Sequence, residues 1–94
     1  MSRTIKHEEK YQQFTIELDG DEAELAYACP SEDVVDFTHT YVPKSERGNG
    51  MAESLIEEGL KYAREHNLKV KATCPAVAKY INAHPEYKDL LAHP

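Results

Sequence analysis

Between Val34 and Thr73 the apolar pattern changes from alternation to a helical spacing and back to alternation. Val34 to Val42 (VVDFTHTYV) is rich in β-branched and aromatic residues and reads as the strongest strand of the chain. Pro43 stops it, a loop runs to about Gly50, and a helix follows from Met51 to about His66. Its positions Ala52, Leu55, Ile56, Gly59, Leu60 and Ala63 recur at three and four, the stripe of a helix facing a core. Asn67 suits the C-cap, and Leu68 to Thr73 (LKVKAT) alternates as a further strand. A strand, a crossover helix and a strand form a βαβ unit, so the two strands should be parallel neighbours in one sheet.

The flanking segments complete that sheet. Tyr11 to Leu18 (YQQFTIEL) alternates Phe14, Ile16 and Leu18 against Thr15 and Glu17. Asp19-Gly20 is a hairpin turn signal, and Glu22 to Ala28 reads as the partner strand with Ala23, Leu25 and Tyr27 on one face. Pro30 should end it, with Ser31-Glu32-Asp33 as loop. In the strand from Val34, simple alternation puts Val35, Phe37, His39 and Tyr41 on one face and Val34, Asp36, Thr38, Thr40 and Val42 on the other. Cys74-Pro75 opens a second helix that runs to about Ala83, and Pro85 closes it. Beyond it, Tyr87, Leu90 and Leu91 are free to pack. Residues 1–10 are charged and without period, a flexible lead-in to a single domain over residues 11–94. The expected class is α+β: a mixed, mostly antiparallel sheet with one parallel βαβ crossover and two main helices.

Ninety-four residues make one domain with little room for a deeply enclosed pocket, so a site should lie in a surface cleft. Residues 1–42 carry three basic and ten acidic side chains, whereas residues 43–94 carry eight and seven. That balance argues against a nucleic-acid partner, which needs a basic surface. It leaves room for an anionic ligand in the second half and a cationic substrate near the first; a solvated acidic surface accounts for it equally well. Met1 to Phe14 has no apolar segment of a signal peptide, and no run approaches the roughly 20 residues of a membrane span. Two cysteines, Cys29 and Cys74, make no disulfide framework, and the histidines and cysteines show no short paired spacing for zinc. The expectation is a cytoplasmic protein with reduced thiols, no membrane partner and no metal, as a monomer or weak homodimer.

Chemistry concentrates in Val42 to Ala52, VPKSERGNGMA. The first N–H groups of a helix have no partners and carry the positive end of its dipole, and glycines let an oxygen-rich group approach the main chain. Gly48, Asn49 and Gly50 stand at that place, with Lys44 and Arg47 supplying charge. No Gly-Lys-Ser/Thr follows, so this is not a P-loop, and Glu53 occupies the third glycine position of the dinucleotide fingerprint. A tight turn is the other reading of two glycines before a helix.

A longer pattern surrounds them: His39-Thr40-x-Val42-Pro43-x-x-x-Arg47-Gly48-x-Gly50-x-Ala52-x-x-Leu55, then Tyr62-Ala63-Arg64 and Lys71-Ala-Thr-Cys-Pro75, then His84-Pro85-x-Tyr87. Over residues 12–90 it resembles the small GNAT-type N-acetyltransferase-like proteins, minimal relatives of the acetyl-CoA-dependent acetyltransferases. Arg47-x-x-Gly50-x-Ala52 looks like that superfamily's pyrophosphate loop. The resemblance implies the acyl-CoA N-acyltransferase fold, with its sheet splayed between the two parallel strands. It implies acetyl-CoA or coenzyme A as co-substrate, its pantetheine arm beside Thr40, Tyr41 and Val42. Its pyrophosphate would lie on the amides of Arg47, Gly48, Asn49, Gly50, Met51 and Ala52; Lys79 is either a solvated side chain or a contact to a coenzyme A phosphate. Larger members insert helices between their first two strands, where this chain has only Asp19-Gly20, so the acceptor amine is left undefined.

Three side chains are the catalytic candidates. Cys74 stands at a strand end and a helix N-terminus, where the dipole favours a thiolate, and it matches the short family's cysteine; it could carry the acetyl group covalently. Alternatively it is a packed thiol. His39, as a neutral imidazole, could take a proton from Cys74 or from an incoming amine, or be a satisfied core residue. Tyr80 could protonate the departing CoA thiolate, as a tyrosine does in larger relatives, or simply pack. A non-catalytic CoA-binding or protein-interaction module stands beside the enzyme as the alternative function.

Overall fold

In the computed structural model, which describes residues 4–92, five strands form one sheet in the order β1-β2-β3-β4-β5. They are β1 (Ile5–Glu8), β2 (Gln13–Leu18), β3 (Asp21–Ser31), β4 (Val34–Tyr41) and β5 (Lys69–Ala72). α1 (Met51–Glu65) crosses from β4 to β5, and α2 (Pro75–Ala83) follows β5. The first four strands pair antiparallel, and the pairing of β4 with β5 is parallel. The mixed sheet, the βαβ crossover and the two helices are therefore as the sequence implies.

Local chemistry sets the ends of these elements. The β2–β3 hairpin turns at Asp19-Gly20, with Gly20 at φ +74°. Pro75 occupies the start of α2, where its missing N–H costs nothing. α1 stops at a left-handed Asn67 (φ +56°), whose N–H donates to the Arg64 carbonyl at 3.3 Å. The next N–H, of Leu68, donates to the Ala63 carbonyl at 2.8 Å. This pair of bonds is the Schellman arrangement, and it turns the chain straight into β5.

Nearly all the buried strand residues lie on one face of the sheet: Phe14, Ile16, Ala23, Leu25, Tyr27, Val35, Phe37 and Val70. Against them pack Met51, Leu55, Ile56, Leu60 and Ala63 of α1, and Val77, Tyr80 and Ile81 of α2. The expected α1 stripe holds except that Met51 is buried where Ala52 is only half-buried. A short 3-10 stretch, Pro85–Leu90, adds Tyr87 and Leu90. It is fastened by Arg64, whose guanidinium donates to both Asp89 carboxylate oxygens at 3.1 Å and to the Glu86 carbonyl at 2.8 Å. The other sheet face is polar and largely open; on it Thr15 is buried and donates to Glu8 at 3.1 Å.

Three expectations need correction. Ile5–Glu8, expected within the flexible lead-in, is a strand paired to β2 from Ile5↔Ile16 to Glu8↔Gln13; residues 1–3 lie outside those described. Its pattern escaped notice because His7 fills the place of an apolar residue. The His7 ring stacks on Phe14 at 4.2 Å, meets Tyr62 edge-on at 4.5 Å and hydrogen-bonds the Tyr27 hydroxyl. β2 starts at Gln13 rather than Tyr11, since Glu9–Tyr11 forms a 3-10 turn closed by Gln12 at φ +53°. β3 runs through Pro30 to Ser31, because the register shifts between Ala28 and Ser31 and such an irregularity tolerates a residue with no N–H.

Gly59 sits where α1 lies closest to the sheet. A methyl there would be 2.8 Å from Phe37 Cε1 and 3.0 Å from Leu25 Cδ2, both on fully buried side chains. Gly59→Ala should gain up to about 1 kcal/mol of helix propensity and lose about 1–3 kcal/mol to overpacking. A lower urea midpoint is expected, and an unchanged or higher one would contradict this packing. Burial holds His7 below its ordinary pKa of 6.5, with Glu9 opposing and His66 adding to the effect. The same burial pushes the Tyr27 phenol up to about 12. The unfolded chain takes a proton at His7 before the folded one does, so this contribution is complete above the unfolded value and is lost as pH falls below it. Between about pH 7 and about pH 5, wild-type stability to urea should fall more steeply than that of His7→Gln; parallel pH profiles would refute it.

Candidate functional site

β4 and β5 pair from Val34↔Lys69 to Phe37↔Ala72 and then part. β4 continues to Tyr41, so on its β5 side residues 38–41 have no strand partner among the described residues. A fork of this kind exposes a row of main-chain donors and acceptors to any extended, amide-bearing ligand.

A bulge sets which side chains face the fork. On the β3 side Tyr27 pairs with Phe37 but Ala26 pairs with His39, leaving Thr38 as the extra residue. Beyond it the alternation reverses. Thr40 pairs with core-facing Leu25 and turns to the helix side, while His39 and Tyr41 turn to the open face. The face expected for His39, shared with Val35 and Phe37, is therefore corrected: His39 is exposed on the opposite side. Tyr41 shares that open face, and its hydroxyl donates to Asp21 at 3.3 Å.

Cys74 occupies the crotch of the fork. Its N–H donates to the Phe37 carbonyl at 2.9 Å, and its Sγ lies 3.2 Å from Thr40 Oγ1. Its carbonyl accepts from the N–H groups of Val77 and Ala78 at 3.1 and 3.2 Å, which begins α2. The residue is buried, whereas Cys29 is exposed on β3. One residue earlier, the Thr73 N–H donates to a carboxylate oxygen of Asp36 at 3.3 Å. Sequence reading passed over Asp36; its signal was a carboxylate inside an otherwise β-branched and aromatic strand.

The glycine loop lies beyond the open end of β4. Arg47 Nε donates to the Val42 carbonyl at 3.2 Å, which folds the loop back on the strand. Gly48 and Gly50 hold φ of +90° and +77°, a region that costs other residues roughly 1–2 kcal/mol. Gly50 is the N-cap of α1, and its carbonyl accepts the first helical bond from Ser54 at 3.0 Å. No side chain caps this end, so the N–H groups of Met51, Ala52 and Glu53 point out of the helix with no intrahelical acceptor. A Cβ placed on Gly48 or Gly50 would meet nothing within 4 Å, so the space above the loop is open. Uncapped donors, a helix dipole and open space suit a pyrophosphate, and the free β4 edge suits a pantetheine amide. The residues thus fit coenzyme A.

Lys79 and Tyr80 sit in a groove of about 340 Å³ between α1 and α2, together with Glu53, Ile56 and His84. The Tyr80 ring stacks on His84 at 3.9 Å. Its phenol is held above the ordinary value by burial first and then by the charges of Glu57, Tyr87, Glu86 and Glu53. Among the described residues no hydrogen bond joins Tyr80 to Cys74 or Thr40. The structure brings Thr40 and Cys74 together, and leaves His39 on the opposite face of β4 and Tyr80 in the helix groove.

The family model for the GCN5-related N-acetyltransferase domain matches residues 13–90, which span β2 to the end of the last 3-10 stretch. The chain belongs to the GCN5-related N-acetyltransferase family. It is 34% identical over 93 residues to the protein NATD1 of Danio rerio, covering 95% of this chain and 84% of that one. To human NATD1 it is 36% identical over 83 residues, covering 86% and 74%. The NMR solution structure of a GCN5-like protein from Staphylococcus aureus superposes with a TM-score of 0.73 at 25% identity, over 100% of this chain and 93% of that chain. The expected place of the short link is corrected: with Ile5–Glu8 as the first strand, the first two strands are joined by the Glu9–Tyr11 3-10 turn and Gln12, and Asp19-Gly20 joins the second to the third. No helix among the described residues is long and apolar enough to cross a membrane.

Proposed function

We propose that the chain binds acetyl-CoA along the β4–β5 fork and transfers its acetyl group to an amine. The observation that carries this reading is the parting of the strands after Phe37 and Ala72, with the Cys74 thiol bonded to Thr40 where they part. The free edge of β4 at Thr40, Tyr41 and Val42 would take the pantetheine amides. The main-chain N–H groups from Arg47 to Ala52 would take the pyrophosphate, and Lys79 would meet a further phosphate. Bound there, acetyl-CoA supplies an activated thioester.

In this reading Cys74 receives the acetyl group, a role supported by its position beside Thr40 in the fork. Its Sγ bonds the acetyl carbon as the bond from that carbon to the coenzyme sulfur breaks, and the thiol proton passes to the departing thiol, so the exchange is proton-neutral. An amine then attacks the acetyl group on Cys74, forming the amide and returning a proton to the thiol. The parted end of the fork gives the amine its approach, and His39, on the opposite face of β4 from the thiol, takes no direct part in this scheme. Tyr80, held in the helix groove, serves packing in this scheme. The ten acidic residues among the first 42 favour a cationic acceptor, a polyamine or a lysine side chain. A single copy suffices for this chemistry.

A turnover assay with acetyl-CoA and a panel of amines tests the proposal. The expected result is acetylation of at least one cationic amine, and an acetyl group on Cys74 by mass spectrometry when amine is withheld. Cys74→Ala should lower transfer on the order of 100-fold or more. Full activity in that variant would remove the covalent step. Coenzyme A binding without turnover on any amine would favour the non-catalytic module instead.

A further inference from the structure

The parallel ladder between β4 and β5 contains a slip of one residue. It begins with Lys69 N–H donating to the Asp33 carbonyl at 2.7 Å. Donors in such a ladder recur every second residue, so Lys71 and then Thr73 should follow, the latter to the Phe37 carbonyl. The Phe37 carbonyl is bonded instead by the N–H of Cys74, at 2.9 Å. Thr73 has become an extra residue, and its N–H, displaced from the ladder, is accepted by the Asp36 carboxylate at 3.3 Å. A main-chain donor between two strands needs a partner, and here a side chain provides it.

We infer that Asp36 is the positioning residue for Cys74: by accepting the displaced Thr73 N–H it holds the slip that turns the thiol into the fork beside Thr40. Without the slip, Thr73 would take the Phe37 carbonyl, and Cys74 would stand one position further from the last paired residue of β4. Asp36 itself lies on the open face, on the other side of β4 from the thiol, and so acts through the main chain. The inference rests on the proposed function for its catalytic meaning but not for its geometry.

Asp36→Asn and Asp36→Ala separate the cases, because an asparagine carbonyl still accepts the Thr73 N–H and an alanine does not. Two readouts need no acetyl transfer: hydrogen exchange of the Thr73 amide, and alkylation of Cys74 by iodoacetamide in a Cys29→Ser background. For Asp36→Ala both rates should rise by about tenfold or more, while Asp36→Asn stays within about threefold of the parent. Circular dichroism and the urea midpoint verify that each variant is folded; should Asp36→Ala fail to fold, Asp36→Val, which suits a strand and likewise offers no acceptor, takes its place with the same expected rise. Equal disturbance in Asn and Ala would show that the charge is what matters and would overturn the inference, as would an undisturbed Asp36→Ala. Transfer activity, measured alongside, should fall in Asp36→Ala and persist in Asp36→Asn. A parent protein with no transferase activity would count against the proposed function and leave the exchange and alkylation results to judge Asp36.

Discussion

Everything of interest in this chain depends on where two parallel strands stop pairing. β4 and β5 are held together from Val34 to Phe37 by a ladder whose far end is closed by Cys74 and the Phe37 carbonyl. The crossover through α1 requires these strands to be parallel neighbours, and the buried pair Val35 and Val70 fixes them against the helices. The same crossover delivers the N-terminus of α1 to the end of β4. A fork with a thiol at its base and an uncapped helix end beyond it follows from one βαβ unit. No enclosed pocket is needed, which is how so short a chain can present a site.

The β3–β4 bulge decides what the fork can do. One extra residue, Thr38, reverses the facing of the rest of β4, so that Thr40 meets Cys74 while His39 and Tyr41 look to the open side. A thiol and an imidazole that alternation would have set near each other are thereby placed on opposite sides of a strand. The links on both sides of β2, the Glu9–Tyr11 3-10 turn and the Asp19-Gly20 hairpin, are too short to hold an inserted helix pair.

Much of this was legible in the residues. The change of apolar period around Pro43 and Gly50 located the crossover, and Arg47, Gly48 and Gly50 marked the loop that the structure shows with two left-handed glycines. Cys74-Pro75 marked the start of α2. What could not be read was whatever depends on pairing rather than pattern. A bulge is a property of two strands together, so the facing of His39 was misjudged from one. β1 was missed because its inward histidine takes the place of an apolar residue, and is tolerated there only through the rings of Phe14 and Tyr62 and the Tyr27 hydroxyl. Asp36 was passed over because its partner is a main-chain N–H that no local pattern connects to it.

The central claim is that the fork and the glycine loop form one coenzyme A site. Titrating the isotopically labelled protein with coenzyme A while following its backbone amide resonances tests that claim directly. The account predicts saturable shifts concentrated at residues 38–42, 47–52 and 73–74, with the β1–β2 end of the sheet undisturbed. Shifts centred elsewhere, such as the β2–β3 turn, or none at millimolar ligand, would contradict it.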